Sequence, residues 1–514
     1  MGSSKALTTK EKRIRVFHPL MIGLYFPISY LANNYLQLNP VESLRTILFS
    51  LLLAGVLFGV ALLLIKNKAK AGIIASAALF FFFTYGHVYR LLEDRSFFGH
   101  HRYLMGLWAV LFLLVIWFTL RTKRNLAVVS NFLNYFAIIL LALSTVSIFR
   151  QALVSNTVAE SNAPEIQPLQ GSEGAHAAMP DVYYIILDTY AREDMLLKNQ
   201  AFDNSDFIDG LRQRGFYVAE CSLSNYNETV TSLSSSLNMD YLENFTGNLT
   251  ENDSNFYKLG NYIKQSQVIS QFKELGYTIV TFETGYWWLD VSDSDLFVTQ
   301  YPSSWYKITH LWYPSKYERD FLYTTSYLAL DELLGSLHIR LGGEQLAPEH
   351  DHYDRMVMNF ETLQNLAGEH SPKFVYAHLI TPHFPYVFAP DGSFHYEKGD
   401  DPGYLNQLEF VNQRILTIVD ALIQNSATPP IIVIQGDHGI DFAVRNAILN
   451  AYFFPGETSV ALYPTITPVN TFRLIFNTYF DASYPLLPDI ARSSTYQTPF
   501  QFEEFVDSCE MDGK

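Results

Sequence analysis

At 514 residues, with 49% hydrophobic and 15% aromatic side chains, the chain exceeds what one core comfortably holds, which predicts at least two structural units and excludes a small or disordered protein. Its net charge of −16 is a sum over unlike parts: residues 1–150 carry 16 Lys and Arg against 4 Asp and Glu, and residues 151–514 carry 19 against 47, leaving +12 and −28. An acidic, aromatic-rich bulk argues against a nucleic-acid partner, which demands a basic footprint.

The first 150 residues hold five apolar runs near the roughly 20 residues that a helix needs to cross a bilayer. They are Val16–Val41, Thr46–Ile65, Ala71–Tyr89, Tyr103–Leu120 and Asn125–Phe149. One such run reads equally as a buried core helix; five in succession, with no alternating strand pattern, predict an all-α five-helix transmembrane anchor over 1–150. The apolar part of the first run ends near Ala32, ahead of Asn33, Asn34, Asn39 and Pro40. A cleaved signal peptide is the competing reading there, opposed by the lack of a small-residue cleavage site and by the four later runs. Short-loop Lys and Arg residues set the orientation. Lys5, Lys10, Lys12, Arg13 and Arg15 precede the first run, Lys66, Lys68 and Lys70 follow the second, and Arg121, Lys123 and Arg124 follow the fourth. Those three ends are expected in the cytoplasm. The opposite loops are weaker and partly neutralised, with Arg45 beside Glu42, and Arg90, Arg95 and Arg102 near Glu93 and Asp94. Five crossings then deliver residue 151 outside. Cys221 and Cys509 both fall in that outer part, where a disulfide is permitted and a pair of inert thiols is equally plausible.

Residues 151–178, rich in Ala, Ser, Glu, Gln, Gly and Pro without apolar periodicity, read as a linker. A folded domain is expected over 179–514. Strands are expected at Val182–Leu187, Phe216–Val218, Tyr277–Phe282, Lys373–Ile380 and Pro430–Gln435, and helices at Phe202–Arg214, Val268–Leu275, Tyr353–Leu366 and Leu405–Gln424. Such alternation predicts an α/β fold with a mostly parallel sheet sandwiched by helices. Ligands of such sheets bind beyond the carboxyl ends of the strands. Three strand tips carry chemistry there: Val182–Leu187 runs into Asp188, Phe374–Ala377 into His378 and then His383, and Ile431–Ile434 into Gln435-Gly436-Asp437-His438-Gly439. Asp188, Asp437 and His438 suit Zn²⁺ or Mn²⁺ in an open site. Each alone has a plainer reading, as a helix cap or a turn; their joint occurrence in one α/β domain favours a metal site.

These residues sit in motifs that resemble the alkaline phosphatase superfamily, in particular its sulfatase-like, membrane-anchored branch that includes lipoteichoic acid synthases and phosphoethanolamine transferases. The motifs are Asp181-Val-Tyr-Tyr-Ile-Ile-Leu-Asp188-Thr-Tyr-Ala-Arg192, Asn225-Tyr-Asn-Glu-Thr229 running into Ser232–Asn238, His378-Leu-Ile-Thr-Pro-His383 and Gln435-Gly-Asp-His-Gly439, in the family's order. The resemblance implies an alkaline-phosphatase-like fold over 180–480 and metal ligands at Asp188, Thr229, Asp437 and His438. It implies Thr229 as covalent nucleophile, at the start of a helix expected over Val230–Leu237. A threonine hydroxyl needs a metal to become nucleophilic, and a helix N-terminus favours an anionic phosphoryl or sulfuryl group. Thr229 as a plain N-cap and Thr231 as a rival remain open. His378 and His383 resemble the histidines that hold the transferred group and protonate the leaving oxygen; either could instead be a structural residue. Asn227-Glu-Thr229 is also a glycosylation pattern, and a glycan there would obstruct the site.

Two departures matter. No histidine follows His438, and the Asp-x-x-x-His pattern of two-metal phosphodiesterases is absent near His378, so one divalent metal ion is expected. Cys221 lacks the Cys-x-Pro-x-Arg context that yields formylglycine, with Leu223 in the proline position, which weakens sulfate-ester hydrolysis. Tyr286-Trp287-Trp288, Trp305-Tyr306 and Trp312-Tyr313 read as core aromatics before a lipid or sugar cleft. His350, Asp351 and His352 read as a solvated loop, and the sequons at Asn244, Asn248 and Asn252 as a polar loop. The expectation is a metal-dependent, sulfatase-like hydrolase or phosphotransferase of a bacterial inner (cytoplasmic) membrane. Its catalytic domain lies outside, and its substrate is a lipid-linked or glycan component of the envelope. A sulfate- or phosphate-ester hydrolase and a degenerate envelope scaffold are the alternatives. A transporter is disfavoured because the spans lack acidic residues.

Overall fold

A computed structural model describes residues 15–92, 99–161, 179–247, 256–301, 314–336, 348–397, 401–441, 443–456, 462–507 and 509. The elements that matter begin with α1 (His18–Asn33), α2 (Ser43–Ile65), α3 (Lys68–Leu92), α4 (His101–Arg121) and α5 (Ala127–Ser161). There follow β1 (Val182–Leu187), α6 (Ser205–Gln213), β2 (Tyr217–Val218), α7 (Thr229–Asn238), α8 (Gln267–Glu274), β3 (Thr278–Phe282), β4 (Leu296–Val298), α9 (Lys316–Leu322) and α10 (Tyr327–Ser336). The last are α11 (Pro348–Asn365), β5 (Lys373–Leu379), α12 (Asp401–Asn425), β6 (Ile431–Gly436), β7 (Asn450–Phe453) and α13 (Pro468–Tyr479). The chain forms two compact units: Met1–Leu153 with Ser303–Glu344, and Val154–Pro302 with Gln345–Lys514.

In the first unit all five predicted runs contain a helix. Four helices, Pro40–Ile65, Lys68–Leu92, His101–Arg121 and Ala127–Leu153, are long and apolar enough to cross a membrane. The first run is shorter than the expected Val16–Val41: α1 has 16 residues, about 24 Å of helix against the roughly 30 Å of hydrocarbon. It stops at Asn33 because the Asn34 amide turns back to the Tyr30 carbonyl at 2.8 Å and Pro40 opens a separate 3-10 turn. At the other end of the fifth run, α5 continues through Ser161, so the first part of the stretch expected to be linker is helical. Nothing from Gln151 to Ser161 is Pro or Gly, and the helix meets no breaker there. Residues 162–178 lie outside the described residues, as do Lys5, Lys10, Lys12, Arg13, Glu93, Asp94 and Arg95.

The second unit is built on a seven-stranded sheet of order β2-β7-β6-β1-β5-β3-β4. Pairings across β6, β1, β5, β3 and β4 are parallel, and β7 runs antiparallel to both neighbours, giving the mostly parallel sheet expected. β1 is buried along its whole length, and its alternation divides the core. Tyr183, Ile185 and Leu187 face α6, α11 and α12 through Phe207, Met356, Phe360, Val411 and Ile415. Val182, Tyr184 and Ile186 face α7, α8 and α13 through Val230, Leu233, Val268, Phe272 and Phe472. Strands covered on both faces read as continuous Val, Ile and aromatic runs, as these do.

The sequence misjudged one segment of this unit. His350, Asp351 and His352 are not in a solvated loop but in the first turns of α11, where Asp351 ion-pairs with Arg355 one turn on. His352 is buried, and burial pushes its imidazole down to about 3. Of the aromatic pairs, Tyr286 packs against Trp288 with its ring tilted 54° and Lys264 covers the Trp287 ring; Trp305-Tyr306 and Trp312-Tyr313 lie outside the described residues, as do Asn248 and Asn252.

Candidate active site

The parallel register decides which tips meet. Ile186 pairs with His378 on one side and Gln435 on the other, and Leu187 pairs with Gly436. Counting two residues on from Ile186 and from Gln435 puts Asp188 and Asp437 on the α7 face, which His378 shares. Among the described residues Asp188, His378 and Asp437 form a buried group whose ligand atoms lie within 4.8 Å of one another. Close backbone approach makes this possible: a Cβ on Gly436 would lie 2.3 Å from the Tyr190 carbonyl oxygen, so only glycine passes there.

Asp188 accepts from His378 Nε2 at 3.1 Å through Oδ2 and from the Thr189 hydroxyl at 2.9 Å through Oδ1. Thr189 sits in the left-handed region at φ +67, a strained conformation for a β-branched residue. That turn aims its N–H at Asp437 Oδ1, 2.9 Å away. The His438 N–H donates to the same oxygen at 2.9 Å. The other oxygen, Oδ2, is buried with no hydrogen-bond partner. Burial pushes the Asp188 carboxyl up, but the nearby His383 and the hydrogen bond from His378 outweigh it and hold the group below the usual carboxylate range.

The His438 tautomer is set by its neighbours. Nδ1 lies 2.9 Å from the Gly439 carbonyl, which can only accept, and Nε2 lies 2.9 Å from Arg445 Nη2, which can only donate. The proton is therefore on Nδ1, and the Nε2 lone pair accepts from Arg445. Burial pushes this imidazole down to about 4, so it is neutral. Its Nε2 is 3.5 Å from Asp437 Oδ2, 4.0 Å from Asp188 Oδ1 and 3.1 Å from Thr229 Oγ1.

Thr229 is the first residue of α7, after the N-cap Glu228. The loop that delivers it is pinned by two asparagines. Asn225 donates to Thr467 Oγ1 and the Ile490 carbonyl and accepts from the Val469 N–H. Asn227 exchanges two 2.9 Å bonds with the Ser494 backbone; its buried amide is committed to that exchange. Upstream, Cys221 is disulfide-bonded to Cys509, the first of the two outcomes left open by the sequence. The rival Thr231 donates its hydroxyl back to the Glu228 carbonyl at 2.8 Å.

Asp188, Thr229, His378, Asp437 and His438 thus converge. His383 stands apart: it is half-buried, its Nδ1 rests on the Phe384 carbonyl, and it acts on Asp188 through its charge. Two residues went unnoticed in the sequence. Arg445 is buried, with Nη2 on His438 and 3.5 Å from Glu228 Oε2; Glu228 is buried beside it, and that burial raises its carboxyl pKa. Glu228 was flagged only by its place before Thr229, and Arg445, seven residues beyond His438, carries no spacing signal.

A bare buried carboxylate oxygen, a second carboxylate and an imidazole nitrogen that would exchange its Arg445 hydrogen bond for the ion form a donor set that fits a divalent cation. Against that geometry, a family model described as sulfatase matches residues 180–473. The chain belongs to the sulfatase family. It is accordingly sulfatase-like over that stretch, on the mostly parallel sheet expected. No protein of curated function matches this sulfatase-family chain. Solved structures resembling it include the zinc complex of the periplasmic domain of EptC from Escherichia coli, at 11% identity and TM-score 0.39 over 66% of this chain and 96% of that one. Another is the integral membrane lipooligosaccharide phosphoethanolamine transferase A of Neisseria meningitidis, at 14% and 0.31 over 85% and 88%. A third is the lipoteichoic acid synthase LtaP of Listeria monocytogenes, at 11% and 0.36 over 64% and 78%. Likenesses of this size carry no inference about what the chain acts on.

Proposed function

We propose that this sulfatase-family chain is a membrane-anchored, metal-dependent transferase or hydrolase. It acts through a covalent Thr229 intermediate on a lipid-linked or glycan phosphate ester at the outer face of a bacterial inner membrane. The observation that carries the reading is the convergence of Asp188, Asp437 with its bare Oδ2, and His438 Nε2 on the Thr229 hydroxyl at a helix N-terminus. Asp188, Asp437, His438 and Thr229 Oγ1 would hold one Zn²⁺ or Mn²⁺. When bound, such an ion lowers the pKa of the hydroxyl and offsets the charge of two carboxylates and the substrate.

The chain's own residues do the rest. Thr229 passes its proton to solvent and attacks phosphorus; the P–O bond to the donor breaks, the leaving oxygen takes up a proton, and a phospho-threonine remains. The N-terminal turn of α7 and the Arg445 guanidinium face the transferred anion. His383 is the better placed proton donor for the leaving oxygen, because it is half-buried at the rim whereas His378 Nε2 is engaged by Asp188. Water or an acceptor alcohol then attacks the phospho-threonine and restores Thr229. The orientation rests on the cationic ends at Lys66, Lys68, Lys70, Arg121, Lys123 and Arg124, and 1–150, 151–178 and 179–514 are the proposed anchor, linker and catalytic regions.

Thr229→Ala, Asp188→Ala and His438→Ala are expected to abolish turnover, by 10³-fold or more, while the protein stays folded in the membrane. Activity retained in all three variants would contradict the proposal.

A further inference from the structure

Residues 314–336 belong to the sequence between β4 and α11 of the sheet, yet they pack in the first compact unit with the apolar helices. Their attachment is polar as well as apolar. Glu318 and Arg45 form a buried ion pair, the Tyr317 hydroxyl donates 2.6 Å to the Pro27 carbonyl, and Phe321 packs against Tyr30 and Phe83. The Gly86 N–H donates to the Thr324 carbonyl at 3.0 Å, and the Ser326 N–H donates to the Phe82 carbonyl at 2.8 Å. Phe82 and Gly86 are i and i+4 in α3, the two groups that an uninterrupted helix pairs with each other. Segment 324–326 therefore lies directly on the α3 backbone. Glycine is required at 86: a Cβ there would lie 2.5 Å from the Tyr323 carbonyl oxygen.

Depth along α3 turns this packing into a statement about the bilayer. Lys70, whose ammonium bonds the Leu120 and Thr122 carbonyls at the end of α4, marks one interface. Phe82, Tyr85 and Gly86 lie 12, 15 and 16 residues further on, about 18, 22 and 24 Å along a helix. All three fall inside a hydrocarbon layer of roughly 30 Å. Ala329 of α10 packs on Tyr85 and Leu104 at that depth, with Val88, Tyr89 and Trp108 around it, while its neighbour Leu330 is 43% exposed. Among the described side chains several polar groups of the segment are met internally, as lipid requires: Ser315 and Glu318 form a reciprocal cap, the Tyr323 hydroxyl donates to Asp331, Thr324 and Thr325 hydroxyls bond back to Phe321 and Leu322, and Lys316 pairs with Asp320 at a partly exposed position.

We propose that residues 314–336 form a re-entrant element that dips into the non-cytoplasmic half of the bilayer, with Leu330 against lipid hydrocarbon. The sheet-bearing part of the sequence is then tied to the membrane at a second point besides α5. The segment touches α1 and α3 near their carboxyl ends and α2 and α4 near their amino ends, the four ends that alternate crossings place together.

The test uses the full chain in lipid nanodiscs, with an environment-sensitive fluorophore on Leu330→Cys or Leu333→Cys. The native cysteines are bonded to each other and do not compete. Leu113→Cys on α4 and Leu197→Cys in the second unit, 61% and 58% exposed, are the references. The expected result is quenching by acyl-chain nitroxide lipid comparable to Leu113 and at least fivefold weaker quenching by aqueous iodide than at Leu197. Iodide quenching equal to Leu197 with no lipid quenching at both positions overturns the proposal. A Leu113 label untouched by lipid nitroxide would remove the spans and the re-entrant element together, whatever the activity of the enzyme.

Discussion

Asp437 has one oxygen held by two backbone N–H donors and the other bare, within ligand distance of Asp188 and His378. Two buried carboxylates so close repel unless a cation joins them. Asp437→Asn is therefore expected to reduce bound metal in the purified protein from one equivalent to below about a tenth. It should also raise the thermal midpoint of metal-free protein, because the residue is placed for function at a cost to the fold. Unchanged metal content would count against the ligand assignment. At this scale the sequence was informative where chemistry ends a strand: Asp188, Asp437 and His438 could be picked from tip residues alone. That His378 shares their face was hidden, since it depends on the register of β1 against β5. Arg445 was invisible because its contact with His438 is made by the fold of the intervening loop.

Elements were legible to the extent that their pattern was local. β1 occupies the expected Val182–Leu187, and α7 extends the expected Val230–Leu237 by one residue at each end. In the loop after β3 only the aromatics Tyr286-Trp287-Trp288 were read, and it also holds Asp290, which burial and the nearby Glu283 push up to about 6. Below the ordinary value near 3.8 the carboxyl is neutral folded or unfolded; above about 6 it is ionised in both states and its burial counts fully against the fold. Stability from this group falls as pH rises from 4 to 6, by up to about 3 kcal/mol. Asp290→Asn, which keeps an acceptor for the Thr284 N–H, should remove that slope in denaturant melts, and an unchanged slope would refute the assignment. Residues 314–336 escaped the reading for another reason: their two helices are short, and their partners lie more than 200 residues earlier. Arg45, expected as a weak loop charge beside Glu42, instead meets Glu318. Removing either partner should cost about 3–5 kcal/mol, and replacing both with apolar residues of similar size should be near neutral. Additive losses in that double-mutant cycle would mean that the pair is not coupled.

Over the whole molecule, the +12 of residues 1–150 and the −28 of the remainder describe a cationic-ended stretch of apolar helices and an acidic sheet-bearing part. An acidic surface repels an anion, so the proposed phosphate ester would have to be attracted locally, by the helix start after Thr229, the histidines, Arg445 and the ion that the carboxylates would hold. Composition and periodicity conveyed the division into apolar helices and an α/β sheet, because both depend on patterns within a few residues. They could not convey that one segment after β4 returns to the helices, which is a matter of long-range packing. The most direct test of the account is mass spectrometry of the Thr229 peptide. Metal-loaded full-length protein, wild type and His383→Ala, would be incubated with vesicles of phosphatidylethanolamine and phosphatidylglycerol. The account predicts a phospho-headgroup adduct on Thr229, accumulating in the variant if His383 also serves the second step; unmodified Thr229 in both proteins, with headgroup release still occurring, would contradict it.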